Sequence, residues 1–536
     1  MHKESSEELS VKKPEYLDYE EYNNRLRKLE ELKALGINPY PHEYKQSHTS
    51  EDLRIKYQDP SSLGHSEEAQ AGTTPLAKVA GRLVLFRAMG KNIFAQLQDE
   101  EGRIQVMFNR DLTKVEGYEP SDLSDAPSHI KIIEKKFDLG DIIGVEGHLF
   151  FTQKGELTIF AKKVTLLCKT LLPLPEKHSG LHDKELRYRK RWLDLISNPE
   201  VKEAFKKRSE ILRIIRKYCE DIGFMEVETP IVQSIYGGAE AKPFRTKLNA
   251  LNQDMFLRIS LEIPLKKLII GGFPKVYEIG KCFRNEGLSR KHNPEFTLLE
   301  AYASYWDYHD MMDFVERLYE KIALTLFGST RFKVNRFDTG EEMEIDVKAP
   351  WIRLSMKDSI KKYAHIDVDS KTDEELRKIL LESGHFEEAK LKTLSRGLLI
   401  AGVFEVFVEP SLLQPHHIID HPVETTVLCK LHRDKELCQE GLIERFESFL
   451  LGGEICNAYS ELNDPVLQRT LLDGQQQRRD AGDEEAAPLD EEFLEAIAQG
   501  MPPAAGVGIG IDRLVMLFTN AHSIRDVLFF PWMKPQ

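Results

Sequence analysis

Residues 275–297, KVYEIGKCFRNEGLSRKHNPEFT, form the most chemically loaded run of the chain. An apolar strand ends in Arg284 and Glu286, two residues apart, and a short basic loop with Arg290, Lys291 and His292 follows. A second strand opens at Phe296. Side chains alternate faces along a strand, so Arg284 and Glu286 are expected on one face. A cation, a carboxylate, a basic loop and an aromatic ring gathered this way could clamp a nucleotide triphosphate. The plain alternative is a surface hairpin with a solvated ion pair, which contributes little by itself. The distant segment GVGIGIDR (506–513) argues against that alternative. Gly506, Gly508 and Gly510 fall at every second position, which on a strand leaves one face bare for a flat ligand to approach the backbone. Asp512 is expected to N-cap the next helix, with Arg513 opening it. The spacing is not the G-x-G-x-x-G of a dinucleotide fold.

Further carboxylates are spaced for chemistry. Glu447 and Glu454 flank SFLLGG. Two strands joined around Gly452 and Gly453 would bring them together, and hard cations that bridge phosphates want such oxygen ligands. Read in isolation, they are a pair of exposed strand glutamates. Asn457, Tyr459 and Glu461 stand at i, i+2, i+4 and so share one strand face; Phe296, Glu300 and Tyr302 share another. Glu262, in SLEIPLKKL, adds one more acid.

The elements that must position these residues follow from periodicity. Residues 1–14 are polar and expected to be disordered. Leu26, Leu29, Leu32 and Leu35 recur at three-residue spacing, which predicts a helix over 17–36 closed by Gly36. Residues 58–75 read as a linker that completes an N-terminal segment, 15–75. Over 76–170 the stretches VAGRLVLF, NIFAQLQD, RIQVMF, DIIGVEGHLFF and LTIFAKKVTLL are short strands split by Gly, Asp and Asn turns. About five such strands suit an OB-type β-barrel, a common binder of single-stranded nucleic acid. LLPLPEKHSG (171–180) is a connector. From 181 to 536 long helices mix with irregularly spaced strands, so the fold class is α+β rather than doubly wound. Within that domain the helix at 372–383 is expected to be peripheral, the segment 330–440 has no evident place, and 474–487 reads as a loop or exposed helix end.

Composition narrows the class. A chain of 536 residues, 41% hydrophobic and 30% charged, fits a globular protein of two or three domains. No apolar run approaches the ~20 residues that span a bilayer, so no membrane partner is expected. The N-terminus MHKESSEELS lacks the apolar core of a signal peptide. Cys168, Cys219, Cys282, Cys429, Cys438 and Cys456 show no C-x-x-C spacing, which favours a reducing, cytoplasmic setting over a zinc site or a disulfide framework. The net charge of −14 argues mildly against a nucleic-acid partner, although charge can be patchy. HDKELRYRKRW (182–192) and the run Lys206, Lys207, Arg208 are local basic patches that could face phosphates or solvent.

The segments around Arg284 and Arg513 resemble motifs 2 and 3 of the class II aminoacyl-tRNA synthetases, and EILRIIRKYCEDIGFMEVETPIV (210–232) resembles motif 1. FRNEG, HNPEFT and GIGIDRLVMLFTN are closest in wording to the lysyl-tRNA synthetases. The resemblance extends over 15–536 through ALGINPYP (34–41), RYRKRWLDLI (187–196) and SELND (460–464). It implies a class II catalytic domain, an antiparallel sheet flanked by helices, behind an OB-fold anticodon barrel. It also implies a homodimer through motif 1, whose long helix carries Phe205, Ile211, Leu212 and Ile215. By the same resemblance the catalytic residues are Arg284, at the α-phosphate and substrate carboxylate, and Arg513, near the γ-phosphate. Glu286 and His292 would meet adenine and outer phosphates, Phe296 would stack on adenine, and Gly510 would join the ATP site. Glu447 and Glu454 would hold magnesium. Glu262, Glu461 and Tyr302 would face the ε-ammonium of lysine, Glu300 and Gly238 its α-amino group, with Asn457 and Tyr459 beside them. In the barrel, Arg87, Phe94 and Gln105 would contact the anticodon. Tyr459 stands where many members carry phenylalanine.

The expected reaction is formation of lysyl-adenylate from lysine and ATP, with Mg2+ as cofactor, then transfer to the 3′ end of tRNA(Lys). The alternatives are an asparaginyl- or aspartyl-tRNA synthetase, a paralogue that lysylates a protein, and a non-catalytic RNA-binding relative. An aspartate substrate would need cations in the pocket, and the residues singled out supply none. The intact barrel and the presence of Arg284, Glu286 and Arg513 weigh against the other two.

Overall fold

The computed structural model describes residues 13–120, 126–175, 181–336, 339–483 and 485–535. The chain divides into two compact units, residues 1–180 and 181–536. Most of the expected N-terminal tail, residues 1–12, and the end of the connector, 176–180, lie outside the described residues.

In the first unit, α1 (Glu20–Ala34) buries Leu29 and Leu32. Its chain direction reverses at Gly36, whose φ of +84° is open to glycine at little cost. Five strands follow: β1 (Leu76–Met89), β2 (Asn92–Gln98), β3 (Arg103–Asn109), β4 (Ile142–Phe151) and β5 (Leu157–Cys168). They pair antiparallel in the order β3, β2, β1, β4, β5, and a parallel β3–β5 ladder closes the barrel. Alternation sends Ile93, Ala95 and Leu97 of β2 inward while Phe94 and Gln96 stay half-buried on the outside. Helix α2 (His129–Lys136) caps the interior with Ile130, Ile132 and Ile133. The expected linker at 58–75 is partly ordered: Ser66–Ala71 is helical, and Ala69 packs on Met107, Phe150 and Phe160, with Phe94 against the same cluster.

The second unit is built on an eight-stranded sheet. Helix α3 (Val201–Asp221) precedes it, and α4 (Glu262–Ile270) leads into β6 (Lys275–Phe283) and β7 (Glu295–Ser304). Helix α5 (Tyr308–Phe327), β8 (His416–Pro422), β9 (Leu442–Phe449) and β10 (Glu454–Ser460) follow. Then come α6 (Pro465–Asp480), α7 (Glu491–Ala498), β11 (Ala504–Gly510) and α8 (Ile511–Thr519). The order across the sheet is Ile352–Ser355, β8, β9, β10, β11, β7, β6, Met225–Glu226. All the inner pairs are antiparallel, but both edge strands pair parallel, so the sheet is mixed rather than wholly antiparallel.

One face of this sheet is apolar. Leu299 and Ala301 of β7, Val507 and Ile509 of β11 and Ala458 of β10 pack under α3, α5 and α8. Their neighbours in sequence necessarily point to the other side. The segment 330–440, which the sequence left unplaced, supplies edge strands and a helical layer on them. The helix at Asp373–Glu382 is not peripheral, because Leu376 and Leu380 are fully buried with Val403, Ile418 and Phe449. Residues 474–480 belong to α6 rather than to a loop, and residue 484 lies outside the described residues.

Asp512 does not N-cap α8; Gly510 holds that position. Instead Asp512 accepts the Thr297 N–H at 2.8 Å and pairs with Arg208 at 2.7 Å, tying α8 to β7 and α3. Arg208 is thereby committed to an ion pair and not to phosphates, and Arg187, Arg189 and Arg191 are likewise paired, with Asp194 or Glu185. Removing one partner of a buried pair strands the other. Asp512→Ala should therefore destabilise the catalytic unit by roughly 3 kcal/mol, read as a lower melting transition in scanning calorimetry.

Candidate active site

The polar face of the sheet opens into a cavity of about 470 Å³. Arg284, Glu286, His292, Phe296, Gly510 and Arg513 line it, as do Glu447 and Glu454, and Gly238, Glu262, Glu300, Tyr302, Asn457 and Tyr459. Segments more than two hundred residues apart in sequence thus converge on one site. Glu461 is absent from the lining, and the anticodon candidates belong to the barrel unit.

At the basic end of the cavity, β6 stops at Phe283, so Arg284 and Glu286 lie in the following loop. Strand alternation does not place them; the loop does. The Arg284 guanidinium lies 5.1 Å from the centre of the Phe296 ring, and Glu286 is exposed at the rim. Arg284 and Phe296 form a cation over an aromatic face. Arg513, on the first turn of α8, donates to the Glu454 carbonyl at 3.1 Å and to His292 Nε2 at 3.0 Å. Desolvation, then the Arg513, Lys291 and Arg284 cations, hold the His292 imidazole below its usual pKa, so the neutral ring accepts that bond. Arg290, which the sequence grouped with this loop, is exposed outside the cavity lining. A Cβ built at Gly508 or Gly510 would meet nothing closer than 3.8 Å, which leaves room for a flat ligand against the strand.

Glu447 and Glu454 stand on neighbouring strands of the β9–β10 hairpin and both line the cavity, as the glycine turn predicted. Arg445, which the sequence reading missed although it shares a strand face with Glu447, donates to Glu447 at 2.5 Å and to Asn457 at 3.0 Å. Burial, then the Glu454 and Glu447 charges, push the nearby Glu409 carboxyl up to about 7. That excess of negative charge suits a divalent cation held by one or two carboxylates and completed by water and phosphate, as Mg2+ is.

At the acidic end the carboxylates are buried. Glu300 accepts from the Ser260 hydroxyl at 2.7 Å, the Leu261 N–H at 3.1 Å and the Tyr302 hydroxyl at 3.1 Å. Burial, with the Glu262 charge second, still raises it to about 7. Glu262 accepts the Tyr459 hydroxyl at 2.7 Å on either oxygen. Gly238 sits at φ +83°, where a Cβ would be 2.9 Å from Glu262 Cβ. The residue that sequence reasoning missed is Lys266. It is 1% exposed, and its ammonium lies 2.5 Å from Glu262 and against Glu461. A cation therefore does accompany these acids, contrary to the expectation, but it lies behind the cavity lining and is paired with two carboxylates. The signal was present, since Lys266 follows Glu262 at i+4 on one helix face.

Comparison with known proteins agrees with this geometry. A family model described as tRNA synthetases class II (D, K and N) matches residues 183–534, and one described as an OB-fold nucleic acid binding domain matches residues 77–167. The lysine–tRNA ligase of Chlamydia caviae is 56% identical over 522 residues, 97% of this chain and 98% of that protein. The lysine–tRNA ligase of Chlamydia pneumoniae is 55% identical over 521 residues, again 97% and 98%. That of Moorella thermoacetica is 45% identical over 513 residues, covering 96% and 97%. The chain belongs to the class II tRNA synthetases and, within them, to the lysine–tRNA ligase family.

Glu300 gives a stability test. Its folded pKa lies above that of an unfolded glutamate, so the unfolded chain loses the proton first and native stability falls as pH rises from the ordinary carboxylate range to about 7. Glu300→Gln removes that loss and keeps an amide able to meet Ser260 and Tyr302. Relative to the parent protein, the variant should gain roughly 1–2 kcal/mol between pH 5.5 and pH 8, measured as diverging melting temperatures. Parallel curves would mean that Glu300 titrates normally.

Proposed function

We propose that this enzyme activates lysine with ATP and charges tRNA(Lys), using the cavity lined by β7, β9, β10 and β11. The observation that carries the proposal is one continuous cavity with cations and an aromatic ring at one end and buried acids at the other. Each half of the reaction needs its own end. The α-amino and ε-amino groups of lysine require anionic partners, because an unpaired buried ammonium is costly. ATP and the lysine carboxylate are both anionic, so their approach requires fixed cations and alignment rather than a protein nucleophile.

In the first step a lysine carboxylate oxygen bonds to the α-phosphorus while the bond to the pyrophosphate oxygen breaks. Arg284 holds the α-phosphate and the carboxylate together, and Phe296 stacks the adenine. Arg513 and His292 receive the outer phosphates. Mg2+, held through Glu447 and Glu454, would screen the phosphate charge. Glu300 and Gly238 orient the α-amino group, and Glu262, Tyr302 and Tyr459 shape the ε-ammonium end. In the second step a 2′- or 3′-hydroxyl of the terminal tRNA adenosine takes the lysyl group and AMP leaves.

In the barrel, Arg87 stands opposite Phe94, and Gln96 opposite Gln105, so the three candidates share one outer face. We assign this face to anticodon bases, which stack on aromatics and offer edges to amides. We also propose a homodimer and a cytoplasmic location. Phe205, Ile211 and Ile215 of α3 cannot supply the dimer contact, since they are buried in their own chain's core. The supporting surface is Met225, Ile231 and Val232, apolar and 44–52% exposed around the short strands that follow α3. Six free cysteines support the location, and among the described residues no helix is long and apolar enough to cross a membrane.

Of the 20 amino acids, lysine alone should drive strong ATP–pyrophosphate exchange; equal exchange with aspartate or asparagine would defeat the assignment. Phe94→Ala should lose ~1–3 kcal/mol of tRNA affinity in a binding titration while exchange without tRNA stays near the parent rate. A fall in both, with a lower melting temperature, would make Phe94 a packing residue only. Sedimentation at micromolar concentration should give a dimer mass, and a fully active monomer would refute the interface.

A further inference from the structure

Lys266 has no role in the reaction as described so far, yet it is the buried cation of an acidic pocket. It projects from α4 between Glu262, one turn earlier on the same helix, and Glu461, which follows β10. Its ammonium also lies 5.5 Å from the Tyr459 ring and 5.8 Å from the Phe493 ring of α7. Glu461 is 1% exposed, and among the described residues its oxygens meet no hydrogen-bond donor apart from the Lys266 ammonium against them.

We propose that Lys266 is a specificity-determining positioning residue, a built-in counter-cation that answers one of two facing acids and leaves the other for one incoming ammonium. The inference rests on the lysine pocket proposed above. Burial pushes the Glu461 carboxyl well up even beside Lys266, so its charge appears when a second cation arrives. A monocationic side chain completes the pairing; a neutral side chain leaves the second acid unpaired, and an anionic one adds to the acids. Without Lys266, two buried carboxylates a few ångströms apart could not both stay ionised, and one would take up a proton. The groups that face this array are Glu300 and Tyr302 from β7, Tyr459 from β10, Cys429, and Glu444 and Arg445 from β9. Burial alone would discharge Lys266, but Glu262 and Glu461 outweigh it and hold the ammonium charged.

The charge count predicts a double-mutant cycle of unusual sign. Glu461→Gln leaves Glu262 cancelled by Lys266, with no net charge for the substrate. Its KM for lysine in pyrophosphate exchange should rise by about 10- to 150-fold, the range for losing one charged hydrogen bond. Adding Lys266→Met to Glu461→Gln frees Glu262 again and should recover about tenfold of that loss, while kcat and the KM for ATP change little. A double variant as poor as, or worse than, Glu461→Gln would overturn the inference, since a cation needed only for packing cannot improve binding when removed. Should the double variant fail to fold, Lys266→Met alone decides. Its KM for lysine relative to the parent should fall from pH 6.5 to 8.5 as the shared proton is released, and a flat ratio would overturn the inference. Glu262→Gln separates the two readings. If it leaves the KM for lysine unchanged, the pocket itself is misplaced; if it raises KM but the cycle lacks the recovery, only the role of Lys266 fails.

Discussion

Alternation along β7, β10 and β11 has to satisfy an oily side and a wet side at once. Leu299, Ala301, Val507, Ile509 and Ala458 close the core beneath three helices, and the residues between them are the ones that face the cavity. A slip of one residue in register would exchange the two sets completely. Asp512 guards against such a slip. By accepting the Thr297 N–H and pairing with Arg208, it fastens the start of α8 and the body of α3 to β7 beside the cavity mouth. The same tie fixes where Arg513 leaves the helix, so core packing and the placement of a cavity cation depend on one carboxylate.

Electrostatic strain divides the cavity into two ends. At the basic end burial, and after it the Arg513, Lys291 and Arg284 cations, depress the His292 pKa. At the other end Glu262, Glu300 and Glu461 crowd together, and burial outweighs the three hydrogen bonds that Glu300 accepts. A ligand of opposite charge would relieve each end, and the binding mode proposed above supplies one to each.

The motifs were legible because their chemistry is local. The glycine spacing pointed correctly to open backbone at Gly508 and Gly510, whereas at Gly506 the Tyr302 ring and Glu461 take the space, and five runs of alternating residues were enough to specify a barrel. Where several elements converge, the sequence was silent or misleading. Arg284 and Glu286 were expected on a strand and stand in a loop, because β6 ends at Phe283, one residue short of the first and three short of the second. Asp512 reads as an N-cap by its position, and tertiary partners on α3 and β7 took its oxygens instead. The buried layer around Leu376 and Leu380 was missed because its partners, Ile418 and Phe449, are some forty to seventy residues further along. Lys266 sat in plain view at i+4 from Glu262. Its burial depends on α7 and on Glu461, which no local pattern brings to it.

Gly506 has a consequence for any attempt to change what this pocket accepts. A methyl group there would come within 2.3 Å of the Tyr302 ring and 2.4 Å of Glu461, closer than atoms can stand. Every larger residue at this position displaces the tyrosine or the acid, so strand β11 cannot be used to shorten the pocket gradually. Tyr302 and Tyr459 stand directly across from Gly506 on β7 and β10, and their hydroxyls are committed to Glu300 and Glu262. A substitution at Gly506 therefore has to answer for both tyrosines and the acids they meet.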